Sequence, residues 1–205
     1  MRTIYLLRHG QTDFNLRGIV QGSGVDSSLN DLGRAQARQF FAAYGGVPFD
    51  KVYISGLRRT RESVQQFLDL DIPHEVHTGL NEISWGVREG TRITLAEDAE
   101  YRHVLGEWAD GRTDARLEGG ESPEDVAARQ RPFIEQLKAR SEEQTVLICM
   151  HGRAMRVLLC QLLNYPLRCM EGFEHSNLCL YKLRLTGTMF RVLNFLDRGH
   201  LAVAE

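Results

Sequence analysis

Two apolar runs end in the same dipeptide, IYLLRHG at residues 4–10 and TVLICMHGR at residues 145–153. Short, continuous apolar runs of this kind predict strands buried on both faces, which are typical of parallel sheets. Ligands of open α/β sheets bind outside the carboxyl ends of the strands. The sequence therefore places His9 and His151, each followed by glycine, at one edge of a sheet.

Further strand-like and helix-like segments alternate along the chain. Residues 51–54 predict another strand, and residues 178–185 and 189–195 predict a hairpin around Thr186-Gly187. Apolar spacing predicts helices over residues 30–44, 57–70 and 153–163, while Ser122, Pro123 and Asp125 predict a capped helix start. This alternation predicts an α/β protein, a three-layer α/β/α sandwich with a mainly parallel central sheet.

One stretch fits this alternation poorly. Residues from about 91 to 120 are polar and charged, with weak helical character between Ala96 and Trp108. We expect them to form a small inserted cap over one end of the sheet. The length of 205 residues then corresponds to a single domain spanning 1–205 with this insertion.

The charge balance excludes some classes of partner. The chain has 25 Lys and Arg residues, 22 of them Arg, against 27 Asp and Glu residues, for a net charge of −2. A general binder of nucleic acid or of anionic membranes would carry a basic excess. The short apolar run at the N-terminus is not typical of a leader, and no run has transmembrane length, so we expect a cytoplasmic protein. The four cysteines show no metal-ligand spacing.

Two more segments have residues suited to phosphate chemistry. Ser55 follows the strand KVYI and precedes a helix, and helix N-termini favour anions, so Arg58 or Arg59 is expected at the same crevice. Glu82 lies among apolar residues with glycines nearby, as expected of a carboxyl group that acts as an acid. The sequence leaves two roles open for Arg153: a residue of the crevice, or simply the first residue of the following helix.

The chain as a whole resembles the histidine phosphatase superfamily, the phosphoglycerate-mutase-like fold. The resemblance rests on motifs that follow in family order: RHGQTDFN at 8–15, SGLRR at 55–59, LNEISWGVREG at 80–90, GGES at 119–122 and HG at 151–152. The second motif selects Arg59 over Arg58. Asn177 and His200 also stand where related chains have them. Met150, Gly56 and Thr60 depart from the common pattern at positions outside the presumed chemistry.

The resemblance implies a metal-independent reaction that needs no cofactor. His9 would attack phosphorus and form a phosphohistidine, with its Nδ1–H held by a backbone carbonyl, and Glu82 would act as general acid and base. Arg8, Arg59 and His151 would surround the phosphoryl group. The further phosphate-binding groups implied are Asn15, Gln21, Gly22 and the Gly152 N–H.

Three functions remain in view. The first is a phosphatase acting on a small phosphorylated metabolite. The second is a cofactor-dependent phosphoglycerate mutase, which the short chain and the Glu89-Gly90 pair disfavour. The third is a phosphoprotein phosphatase or a non-catalytic binding protein, and the presence of His9, Arg59, Glu82 and His151 disfavours the non-catalytic protein. The hairpin and the sheet edge leave a homodimer open.

Overall fold

A six-stranded sheet runs through the centre of the protein, whose computed structural model describes residues 1–92 and 99–201. The strands are β1 (Arg2–Arg8), β2 (Lys51–Ile54), β3 (His74–Val76), β4 (Thr145–Met150), β5 (Leu180–Thr186) and β6 (Met189–Asp197). They lie in the order β3-β2-β4-β1-β5-β6, parallel from β3 to β1 and antiparallel at β5 and β6. The predicted mainly parallel sheet with a C-terminal hairpin is confirmed.

Six α-helices accompany the sheet in the described ranges. They are α1 (Asp13–Arg17), α2 (Asp31–Tyr44), α3 (Arg58–Leu68), α4 (Ala99–Ala109), α5 (Pro123–Ala139) and α6 (Gly152–Leu162). Short 3₁₀ turns occupy Thr78–Leu80, Gly86–Arg88 and Leu167–Gly172. None of the helices in residues 1–92 and 99–201 combines the length and the apolar character needed to cross a membrane.

The alternating direction of side chains along the central strands explains why helices cover both faces of the sheet. Successive side chains of a strand point to opposite faces of its sheet. In β1, Ile4 and Leu6 belong to an apolar cluster with α5 and α6, whereas Tyr5 and Leu7 belong to a second cluster with α2 and α3. Both faces of the sheet are therefore covered by helices, and the predicted sandwich is confirmed.

The start of α5 follows the chemistry that the sequence indicated. Ser122 is the N-cap, and its hydroxyl oxygen accepts a hydrogen bond from the Asp125 N–H at 3.2 Å. The Asp125 carboxylate accepts in return from the Ser122 N–H at 2.9 Å, which completes a capping box. Pro123 occupies the first turn, where no intrahelical donor is needed.

The region predicted as a cap contains α4. Trp108 of α4 is buried, and its indole N–H donates to the Ala115 carbonyl at 2.7 Å. This contact ties the helix to the segment that follows it. Residues 93–98 of the expected insertion lie outside the described ranges, and the assignment of residues 91–120 as a substrate cap remains a prediction.

Strand pairing positions the two His-Gly pairs. Strands β1 and β4 are parallel neighbours, and Arg8 pairs with Met150 at their carboxyl ends. His9 directly follows β1 and His151 directly follows β4, so the two residues lie side by side at this edge of the sheet. The carboxyl end of β2 lies on the other side of β4, because Ile54 pairs with Cys149, and this brings Ser55 to the same edge.

Candidate active site

His9 is a buried imidazole with a defined tautomer. Its Nδ1 lies 2.7 Å from the Gly10 carbonyl oxygen, which can only accept, so Nδ1 carries the hydrogen and Nε2 keeps its lone pair. Burial, followed by the charges of Arg8 and Arg59, holds the pKa of His9 well below 6.5. His9 is therefore a neutral imidazole at physiological pH with Nε2 available as a nucleophile.

Gly10 brings this turn close to its neighbours. Its N–H donates to the Ser63 hydroxyl at 2.9 Å, and a Cβ at this position would lie 2.7 Å from the Gly33 carbonyl oxygen. A side chain would push the turn away from α2, so the close approach requires glycine. The orientation of His9 depends on this packing.

His151 is fully buried at the start of α6. Its Nδ1 accepts a hydrogen bond of 3.2 Å from Arg59 Nε, which can only donate, so Nε2 carries the hydrogen. That Nε2–H donates to the Ser55 hydroxyl at 2.7 Å. Burial, followed by the charge of Arg59, holds the pKa of His151 well below 6.5. The rings of His9 and His151 have centroids 5.2 Å apart.

Arg59 is fully buried and is held from two sides. Besides its bond to His151, its guanidinium donates to the Val25 carbonyl at 2.6 Å and to the Gly22 carbonyl at 3.2 Å. Burial lowers the pKa of Arg59 to about 10, although the charge of Glu82 opposes this shift. The loop around Gly22 thus meets Arg59 with two backbone carbonyl acceptors.

Glu89 supports this loop from the other side. Its Oε1 accepts from the Trp85 N–H at 3.0 Å and from the Ser84 hydroxyl at 3.2 Å. A Cβ on Gly22 would lie 2.1 Å from the same oxygen and 2.6 Å from the Ile83 carbonyl oxygen. Only glycine fits there, so Gly22 is explained by close packing as well as by its carbonyl contact with Arg59.

Glu82 is a buried carboxylate bound to the N-terminus of α6. Its Oε1 accepts from the Ala154 N–H at 2.8 Å and from the Ile83 N–H at 2.9 Å, and its Oε2 lies 3.2 Å from the Arg153 N–H. The unpaired amides at the start of a helix favour a carboxylate there. The same helix that follows His151 therefore also fixes the position of Glu82.

A cavity of about 490 Å³ opens at this edge of the sheet. The candidate residues that line it are Arg8, His9, Asn15, Gln21 and Glu82. Four candidates lie behind this lining: Arg59, His151, Gly22 and Gly152. The structure thus brings all nine together but places only five of them on the cavity surface.

Asn15 and Gln21 have internal partners in addition to their place in the cavity. The Asn15 Oδ1 accepts from Thr12 and from the Asn177 side-chain amide at 3.1 Å, and the same amide of Asn177 donates to the His9 carbonyl. The Gln21 amide donates to the Thr12 hydroxyl at 2.8 Å. Asn177, which the resemblance also indicated, therefore connects the first motif to the start of β5.

Three titratable residues of the cavity lining were not singled out from the sequence: Arg156, Glu171 and His175. Arg156 lies three residues after Arg153 on α6, so both face the same side, and this spacing was a usable signal. His175 packs so closely on Gly152 that a Cβ there would lie 2.6 Å from its ring. Burial, followed by the charge of Arg8, lowers the pKa of His175 to about 2. Arg153, left open above, is a cavity residue.

The arrangement can bind and attack a tetrahedral anion. Arg8 supplies positive charge at the cavity surface, Arg59 supplies it from behind, and a neutral imidazole and a carboxylate face the same space. Within residues 1–92 and 99–201, no three His, Cys, Asp or Glu side chains are grouped as ligands for a metal ion.

Comparisons with known proteins agree with this geometry. A family model described as the histidine phosphatase superfamily, branch 1, matches residues 4–198. The adenosylcobalamin/α-ribazole phosphatase of Salmonella typhimurium is 29% identical, over 86% of this chain and 87% of that protein. A broad-specificity phosphatase of Saccharomyces cerevisiae is 32% identical, over 79% of this chain and 70% of that protein. The relatives also include a protein named for phosphoglycerate mutase activity.

Solved structures with this fold include the mycobacterial glucosyl-3-phosphoglycerate phosphatase in complex with vanadate. It superposes with a TM-score of 0.83 at 28% identity, covering 96% of this chain and 99% of that one. The similarity therefore extends over the sheet, the helices and the edge where His9 and His151 lie.

Proposed function

Because the chain belongs to the histidine phosphatase superfamily, we propose that it hydrolyses a small phosphorylated metabolite through a phosphohistidine formed on His9. The class of enzyme, a hydrolase of phosphate monoesters, is shared with relatives named as phosphatases. The observation that carries the proposal is the neutral, oriented imidazole of His9 beside Arg8 and Glu82 in one cavity.

In the first step, His9 Nε2 attacks phosphorus and the bond from phosphorus to the ester oxygen breaks. The lone pair of Nε2 is available because Nδ1 holds the hydrogen and burial keeps the ring neutral. Glu82 in its protonated form transfers a proton to the departing oxygen, which leaves as an alcohol. The products of this step are the alcohol, phosphohistidine and the Glu82 carboxylate.

In the second step, water replaces His9 on phosphorus. The Glu82 carboxylate takes a proton from this water as its oxygen attacks, and the bond from phosphorus to Nε2 breaks. Inorganic phosphate leaves, His9 returns to its neutral form and Glu82 is protonated again. The amides of Ile83 and Ala154 keep the Glu82 carboxyl group at this position through both steps.

The phosphoryl oxygens remain anionic throughout, so fixed positive groups stabilise the transferring group. Arg8 contacts them directly from the cavity wall. Arg59 reaches them by exchanging the neutral Gly22 carbonyl for a charged oxygen, which is the stronger acceptor. His151 orients Arg59 through the bond between Nε and Nδ1. Asn15, Gln21 and the backbone amides of Gly22 and Gly152 are the further donors we assign.

A phosphatase is favoured over a mutase. A mutase returns the phosphoryl group from histidine to a second hydroxyl of the substrate, whereas a phosphatase gives it to water. Incubation with 3-phosphoglycerate and catalytic 2,3-bisphosphoglycerate separates the two. We expect phosphate release to exceed isomerisation, and the reverse would establish a mutase.

The direct experiment replaces His9 with Ala and measures hydrolysis of p-nitrophenyl phosphate. We expect turnover to disappear while the unfolding transition remains cooperative. Mass spectrometry of the wild-type protein quenched during turnover should detect one added phosphoryl group, absent from His9→Ala. His74→Ala, on exposed β3, is the matched control and should keep wild-type activity. Wild-type turnover by His9→Ala would overturn the proposal.

A further inference from the structure

Two arginines and a glutamate occupy the cavity wall beyond the phosphoryl site. Arg153 and Arg156 each hydrogen-bond one oxygen of the Glu171 carboxylate through Nη1. The arginine side chains are 10% and 13% exposed, whereas the Glu171 side chain is 51% exposed. A carboxylate therefore bridges two nearly buried guanidinium groups, and its own side chain is the part that can swing into solvent.

We propose that Arg153 and Arg156 bind a carboxylate on the leaving group of the substrate, which takes the place of the Glu171 carboxylate. This inference rests on the proposed phosphatase function and specifies its substrate class as a phosphorylated carboxylic acid. The bridge to Glu171 shows that the pair accepts the shape and charge of a carboxylate.

The charge balance of this wall favours a second anion. Within residues 1–92 and 99–201, the two guanidinium groups share the Glu171 carboxylate, and the buried Arg156 Nε has no hydrogen-bond partner. Burial, followed by the charge of Arg153, lowers the pKa of Arg156, so the group gains from a further negative charge. A substrate carboxylate replaces the contacts that the two guanidinium groups lose with Glu171, and the half-exposed Glu171 carboxylate is rehydrated when its side chain moves outwards.

The start of α6 connects the two subsites. Arg153 and Arg156 are one turn of α6 apart, and the Arg153 N–H lies 3.2 Å from Glu82, the group that protonates the departing oxygen in the proposed reaction. All three residues line the same cavity. A leaving group whose carboxylate lies close to its ester oxygen therefore fits this site best.

Aromatic side chains pack against the Arg153 guanidinium. The Arg153 guanidinium lies over the rings of Trp108 and Trp85, at 5.4 and 6.0 Å from their centroids. Tyr101 and Leu105 of α4 also line the cavity at this end. Apolar walls reduce competition from water, and the charge pair is stronger for that reason.

The test compares two substrates that differ only at the subsite. The probes are 3-phosphoglycerate and glycerol 3-phosphate, which has a hydroxymethyl group in place of the carboxylate. We expect wild-type kcat/KM to favour 3-phosphoglycerate. Arg156→Gln should reduce the ratio of the two values by about 10- to 100-fold, mainly through KM, because one charge-assisted hydrogen bond is lost.

Three further variants complete the experiment. Arg156→Lys should restore part of the preference because it keeps the charge. Glu171→Gln removes the competing carboxylate from a half-exposed position and should increase the preference for 3-phosphoglycerate. Arg131→Gln, on the exposed side of α5, is the matched control and should keep the wild-type ratio.

Two failures can be told apart. If wild-type protein hydrolyses neither probe nor p-nitrophenyl phosphate, the phosphatase function itself is wrong. If it hydrolyses them with a ratio near one, or with a ratio that Arg156→Gln and Glu171→Gln leave unchanged, the carboxylate site is overturned and the phosphatase function stands.

Discussion

Replacing Glu82 with Gln removes its proton while keeping the shape of the side chain. In the structure, Glu82 Oε1 accepts from the amides of Ile83 and Ala154, and Oε2 faces the amide of Arg153 at 3.2 Å. The glutamine oxygen can keep the first two contacts. Its NH₂ group then meets the N–H of Arg153, donor against donor, and cannot transfer a proton.

These contacts determine how much Glu82→Gln should change the free energy of unfolding and the reaction rate. The Arg153 N–H loses its acceptor, and a backbone donor left unpaired in this way should lower the free energy of unfolding by about 1–3 kcal/mol. Loss of a general acid should slow the reaction by about 10²- to 10⁴-fold where the departing oxygen needs a proton. A weakly basic phenolate departs unaided, so p-nitrophenyl phosphate should lose less than about tenfold in the same step.

The assay is kcat/KM across aryl and alkyl phosphates, because this parameter covers the reaction up to the first irreversible step. The dependence on leaving-group pKa should be much steeper for Glu82→Gln than for the wild-type protein. Glu135→Gln, exposed on α5, is the control and should leave the dependence unchanged. An equal loss for every leaving group would refute the assignment of Glu82 as the acid.

Ser55→Ala removes the acceptor for the buried Nε2–H of His151; it should lower the free energy of unfolding by about 1–3 kcal/mol in urea titrations, and an unchanged midpoint would contradict this hydrogen bond. Gly22→Ala would place a Cβ 2.6 Å from a backbone oxygen and should reduce both stability and kcat/KM, whereas Gly46→Ala, with open space around it, should do neither. Acidification should destabilise the protein through His9, because below pH 6.5 the unfolded chain holds a proton that the folded chain does not. The part of the free energy of unfolding that depends on neutral His9 is fully present above pH 6.5. It is lost at about 1.4 kcal/mol per pH unit as the pH falls towards the lowered pKa of His9. His9→Gln should flatten the slope by this amount, and an unchanged slope would show that His9 titrates normally.

Features decided by local sequence were predictable. The apolar runs that became β1 and β4 are continuous, and the capping box at Ser122 needs only residues within one turn. The proximity of His9 and His151 was also predictable, because parallel strands end at a common edge of the sheet. Strand β3 was missed because it has only three residues and no apolar alternation.

Features decided by contacts across the fold were not predictable. The carbonyls that hold Arg59 come from a loop more than thirty residues earlier in the chain, at Gly22 and Val25. The bridge from Arg153 and Arg156 to Glu171 depends on how the segment after α6 folds back over the cavity. Residue spacing indicates which face a side chain occupies, but it does not indicate which partner arrives there from elsewhere.

The pairing of Arg8 with Met150 has an evolutionary consequence. Neighbouring strands lie about 4.8 Å apart, and the imidazole centroids of His9 and His151 are 5.2 Å apart, so the backbone ladder sets their separation. Replacements in α4 or in the 3₁₀ turn at Leu167–Gly172, which line the far end of the cavity, leave that ladder intact. Substitutions that change substrate preference can therefore accumulate during evolution without changing the separation of His9 and His151.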